Sequence, residues 1–142
     1  MYRCAMRWSA LWLIALATPA WSAADGSPSA LQVIDRSVGS GPVARDGMQV
    51  ELNYRGWLYD ASAPDHHGRM VDSSYERGQP IRFTLGQGQV IAGWDRGIRG
   101  MHVGGRRTLL IPARLAYGSR RVGDAVPPHA ALVFDIELLG AH

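Results

Sequence analysis

The sequence contains no lysine; all 15 of its basic residues are arginine, which we read as compositional bias and not as a functional signal. Its one cysteine, Cys4, stands near the start. Downstream of it there is no thiol, which excludes a disulfide framework, a cysteine nucleophile and a cysteine metal site. That composition suits an oxidising compartment without requiring one. Charge of one sign is also scarce. The formal net charge is +3, and setting aside Arg3 and Arg7 leaves 13 arginines against 12 acidic residues, near +1. Such a balance argues against a nucleic-acid or anionic-membrane partner. No apolar run reaches the ~20 residues that a bilayer span needs, and there is no internal repeat or low-complexity tract.

What is present first is a leader. Arg3 and Arg7 form a positive stretch, and Ala10 to Ala17 is a short apolar run followed by small residues. Cleavage after Ala24 places Ser22 and Ala24 at the two small-residue positions; cleavage after Ser22 uses Ala20 and Ser22. Both fit a secretory signal, whereas cleavage after Ala23 would set bulky Trp21 at the outer position. Residues 1–24 are therefore expected to be a signal peptide, with an uncleaved anchor as the rival reading. Cys4 precedes the apolar run, which argues against a lipoprotein. Residues 25–46 read as a linker, Asp25 to Ala30, and an N-terminal strand; residues 47–142 read as one domain. With 46% apolar residues the chain can form a packed core.

The patterning is mostly that of strands. Leu31 to Ser37 is a short strand closed by the turn Gly39-Ser40-Gly41-Pro42. Val50, Leu52 and Tyr54 alternate with polar residues, as do Ile81, Phe83 and Leu85, and Leu132, Phe134, Ile136 and Leu138. A period of two marks half-buried strands. Arg106 to Ile111 reads as another, and Asp60 to Gly68 as turn chemistry. One segment differs: Ile91, Trp94, Ile98 and Met101 form an apolar helical stripe, interrupted by Gly93, Gly97 and Gly100. Each glycine costs about 1 kcal/mol against alanine in a helix. So short a helix needs a sheet to lie on, with Trp94 as its anchor.

Five blocks then carry a resemblance. Asn53-Tyr54-Arg55-Gly56, Val71-Asp72-Ser73-Ser74, Gln89-Val90-Ile91-Ala92-Gly93-Trp94, Ala116-Tyr117-Gly118 and Val126 to Asp135 occur in order. In order and spacing the chain resembles the FK506-binding (FKBP) type of peptidyl-prolyl cis-trans isomerase over Leu31 to Gly140. The resemblance implies an α+β fold, a curved antiparallel β-sheet wrapped over one short α-helix. It implies a proline pocket with Tyr54, Asp72, Trp94, Tyr117 and Phe134 as catalytic residues, Trp94 forming the floor. Val71, Arg77, Ile81, Val90, Ile91 and Val126 would contact substrate or line the walls. The Ile91 N–H and the Tyr117 hydroxyl would hold substrate carbonyls. Proline-containing polypeptides and FK506-like macrolides are the implied partners, with no metal and no cofactor. An exported, periplasmic or secreted folding assistant is expected. A monomer is also expected, since no long helical N-terminal extension is seen.

These residue types suit the chemistry. Rotation about an X-Pro bond faces a barrier of roughly 18–20 kcal/mol and makes no bond to the catalyst. A dry aromatic pocket disfavours the planar, polarised amide more than the twisted transition state. By pattern alone Trp94, Phe134 and Tyr54 read as core, and Asp72 as a turn or cap residue. His66 and His67 read as solvated loop residues instead of metal ligands, and His129 as structural. The chain departs from the family at Val71 and Ile81, where phenylalanines are common, and at Val122 and Ala125. A wider, shallower pocket is expected. The alternative function is a non-catalytic proline-binding chaperone or interaction module on the same groove.

Overall fold

Alternation along the chain translates directly into one buried face: Val50, Leu52 and Tyr54 are all buried, as are Leu132, Phe134, Ile136 and Leu138. The computed structural model describes residues 26–142, so the expected signal peptide lies outside the described residues. The elements in chain order are β1 (Gln32–Ser37), β2 (Gln49–Tyr59), β3 (His67–Ser73), α1 (Ser74–Arg77), β4 (Ile81–Thr84), α2 (Ala92–Ile98), β5 (Arg106–Ile111) and β6 (Leu132–Ala141). A 3-10 turn spans Ala113–Leu115.

All pairings are antiparallel, in the order β1-β5-β6-β2-β3, with β4 also on β2. β2 is the pivot. One flank pairs with β6 from Val50 to Leu58. On the other flank Gln49 to Leu52 pairs with β4, and Arg55 to Tyr59 with β3. The four-residue α1 sits between β3 and β4, with the Ser73 side chain accepting the Glu76 N–H and Gly78 ending the helix in the left-handed region. The register shifts between Gly56 and Trp57, a bulge of the kind that bends a strand.

α2 lies across the inner face of this sheet, burying Trp94 and Ile98. The glycines that interrupt its apolar stripe prove to be its contact with β5. A Cβ at Gly93 would come within 2.5 Å of the Ile111 side chain, and one at Gly97 within 2.6 Å of Leu109. Both partners are fully buried and cannot step aside into solvent. The cost in helix propensity is thus exchanged for a close helix–sheet approach. Asp95, in the first turn of α2, accepts the N–H groups of Gly86 and Gly88 at 2.8 and 3.1 Å, tying the preceding loop to the helix.

The architecture is the α+β sheet-and-helix arrangement expected, and four local readings change. His67 and Gly68 belong to β3 instead of a turn. The histidines are half-buried against rings instead of fully solvated: His67 stacks on Trp57 at 3.7 Å and 5°, and His66 on Tyr59 at 4.8 Å. Flat aromatic partners one strand away were invisible to a reading of loop polarity. Asp72 is a strand residue, and the cap next to it is Ser73. Within the expected linker, Pro28 is buried and the Ser29 carbonyl accepts from Arg114 at 3.0 Å.

Replacing Gly97 tests the helix seat. In an exposed helix, glycine to alanine gains about 1 kcal/mol. Here overpacking, typically about 1–3 kcal/mol, should reverse the sign. Urea unfolding of Gly97→Ala is expected to show a net loss on the order of 1 kcal/mol. A stabilised variant would show that α2 is not pressed against Leu109.

Candidate active site

Where α2 meets the sheet, the packing leaves a cavity of about 410 Å³, within the range of small-molecule sites. Trp94 of α2 lies at its base, with Tyr54 of β2 and Phe134 of β6 beside it. Trp94 meets Tyr54 edge-on at 4.8 Å and 76°, and Phe134 at 5.1 Å and 86°. Edge-to-face pairs of this kind contribute about 0.5–1.5 kcal/mol each beyond burial. Phe83 tilts against Trp94 from β4 at 5.9 Å. Phe134 also occupies the space a side chain at Gly56 would need, its ring 2.4 Å from that missing Cβ.

Val71 and Asp72 of β3 and Ile81 of β4 supply one wall. The segment before α2 gives Gln89, Val90 and Ile91, and the loops after β5 give Tyr117, Val122, Ala125 and Val126. Of the residues singled out from sequence, Arg77 alone does not line the cavity. It stands behind the wall, holding Asp72 and Tyr54. Gln89 and Leu132 line the cavity and were not singled out. Gln89 had been read only as part of a motif, and Leu132 only as strand core. Val71, Ile81, Val122 and Ala125, the four positions that depart from the family, all face the cavity.

The polar groups of the lining are mostly committed to one another. The Tyr54 hydroxyl donates to Asp72 Oδ2 at 2.5 Å, and Arg77 donates to both that hydroxyl and Asp72 Oδ1. The Ser73 N–H completes the set on Asp72 Oδ1 at 2.9 Å. Burial, and then the bond to Asp72, push the Tyr54 phenol up to about 12. Burial, with the Asp72 charge second, raises Tyr117. Among the described residues, donors at the cavity with no protein acceptor include the Ile91 N–H, the Tyr117 hydroxyl, the Gln89 amide nitrogen and the buried Trp94 indole N–H. The site is therefore apolar at its base, neutralised along one wall and supplied with free donors.

One wall is a loop fastened from outside. Arg69 donates to the carbonyls of Asp124 and Ala125 at 3.2 and 3.0 Å, a contact the sequence did not signal. Val122 and Val126 bridge to each other, and the His129 N–H donates to Gly118 while His129 takes a positive φ of 58°.

The Tyr54 phenol generates a pH prediction. Its proton is held more tightly in the fold than in the unfolded chain, where the pKa is near the ordinary 10.0. Its contribution to stability is complete below pH 10 and lost as pH rises towards 12. Urea unfolding should show a decline over that window that is shallower in Tyr54→Phe. Identical declines would mean that the phenol is not held by Asp72 and its buried setting.

Residues 41–139 match the family model described as FKBP-type peptidyl-prolyl cis-trans isomerase. The chain is 45% identical over 109 residues to an FK506-binding protein of Neisseria meningitidis serogroup A, covering 77% of this chain and 94% of that relative. The crystal structure of AtFKBP13 superposes with a TM-score of 0.70 at 42% identity, covering 83% of this chain and 98% of that one. That of FkpA from Escherichia coli gives 0.67 at 39% identity, covering 78% of this chain and 47% of the other. With sheet, helix and cavity arranged as they are, the chain belongs to the FKBP-type family and is a peptidyl-prolyl cis-trans isomerase.

Proposed function

We propose that the cavity above Trp94 is where X-Pro bonds rotate, in proline-containing segments of proteins that fold after export. The observation that carries this reading is the division of labour in the lining. Apolar and aromatic groups form the base, and the single carboxylate is already paired with Arg77 and Tyr54. The proline ring would rest on Trp94, between Tyr54 and Phe134, with Val71, Ile81, Val90 and Val126 completing the walls. The Ile91 N–H and Tyr117 hydroxyl would donate to the flanking carbonyls and fix a turn-like backbone. In that dry setting the planar amide loses more solvation than the twisted transition state, whose carbonyl is less polarised. Arg77 and Asp72 act on the reaction through Tyr54, by holding its ring. FK506-like macrolides would occupy the same cavity, and the domain would work as a monomer.

The mature domain is expected to accelerate cis-trans exchange of an X-Pro bond in an unstructured peptide, equally well in the presence of a chelator. Trp94→Leu should weaken binding of a proline-mimicking ligand beyond any loss of folded fraction, with a stability cost on the order of 1–3 kcal/mol. Ligand affinity unchanged per folded molecule would remove Trp94 from the site. No rate enhancement by the folded wild type would sink the catalytic reading and leave a non-catalytic binding module.

Export rests on Arg3, Arg7 and the apolar run that follows. Cleavage after Ser22 or after Ala24 would spare Pro28 and Ser29, which pack on the domain. Mass spectrometry of protein taken from the native envelope is expected to find one of those two N-termini; an intact Met1 would contradict export by cleavage.

A further inference from the structure

Gln89 stands out among the polar side chains of the cavity because one end of it is anchored and the other is unused. The Thr84 N–H donates to Gln89 Oε1 at 2.9 Å. That contact fixes which way the carboxamide faces. The backbone beneath it is fixed as well, through the Asp95 carboxylate that accepts the Gly86 and Gly88 N–H groups. The amide nitrogen carries two N–H donors, and among the described residues neither finds an acceptor. Gln89 is solvent-exposed, so the amide sits at the mouth of the cavity and not in its base. Tyr54 and Asp72 satisfy each other, and the unpartnered Trp94 indole N–H is buried, which leaves Gln89 and Tyr117 as the exposed lining side chains with an unused donor.

We propose that Gln89 is a substrate-binding residue whose side-chain amide donates a hydrogen bond to a backbone carbonyl flanking the bound proline. The inference rests on the assignment of the cavity as the isomerisation site. A neutral, preoriented donor matches a neutral carbonyl, and anchoring by Thr84 lowers the ordering cost of the bond. Every polypeptide offers such a carbonyl, so the contact adds affinity without selecting a side chain.

Gln89→Glu separates the two ends of the side chain. A carboxylate still accepts the Thr84 N–H, but presents an oxygen where the donor was. The substrate is a capped peptide with alanines around one Leu-Pro bond, so its only acceptors are backbone carbonyls. The expected result is a KM raised about three- to tenfold, the loss of one ordinary hydrogen bond, with kcat and melting temperature unchanged. Gln89→Met, which removes the donor without adding charge, should move KM the same way. Gln87→Glu places the same charge on an exposed neighbour outside the lining and should leave KM unchanged. A wild-type KM in Gln89→Glu, or an equal rise in Gln87→Glu, would overturn the proposal. An inactive wild type would instead overturn the site assignment on which it rests.

Discussion

The close approach of α2 to β5 is the constraint on which the rest of the molecule depends. Gly93 and Gly97 present no side chain towards Ile111 and Leu109, so the helix settles directly on the sheet. That depth sets the position of Trp94, and Trp94 sets those of Tyr54 and Phe134 through two edge-on contacts. Were the helix lifted by the width of a methyl group, the three rings would no longer share one base. A cavity of fixed shape therefore arises from a helix too glycine-rich to be stable alone, held by burial against strands already paired. Asp95 adds the second tie, linking the helix to the segment that carries Gln89, Val90 and Ile91.

The polar wall follows a different logic. Asp72 and Arg77 are each roughly half exposed, at 43% and 49% of the side chain, so their ion pair contributes little to stability, about 0–1 kcal/mol. Its consequence is positional. The guanidinium and carboxylate together occupy the Tyr54 hydroxyl and leave that ring turned towards Trp94. The carboxylate at the cavity is thereby neutralised, which keeps the apolar base compatible with a proline ring. The opposite loop is fastened by Arg69, whose guanidinium reaches two carbonyls of the segment bearing Val122, Ala125 and Val126.

Much of this was legible from the chain. Period-two alternation marked the inner faces of β2, β4 and β6 because burial on one side of a sheet leaves that trace. β3 left none: apart from the buried Ser73 its residues are a mixture of half-buried and exposed positions, and its Asp72 and His67 read as turn or loop residues. The helical stripe located α2, yet its glycines looked like defects, since their value lies in side chains on β5 some distance along the sequence. Arg77 was placed among the wall residues, whereas it supports the wall from behind.

By itself the sequence determined the residue types that an isomerase site needs, their order, and which faces of its strands and helix are apolar. Those properties are local: they follow from side-chain chemistry and from the repeat of each backbone conformation. Only the tertiary structure decided which polar groups remain free. Asp72 and Tyr54 cancel each other, while Gln89 is anchored at one end and open at the other. Hydrogen-bond satisfaction depends on partners brought together from distant strands and loops, and no spacing along a chain records it.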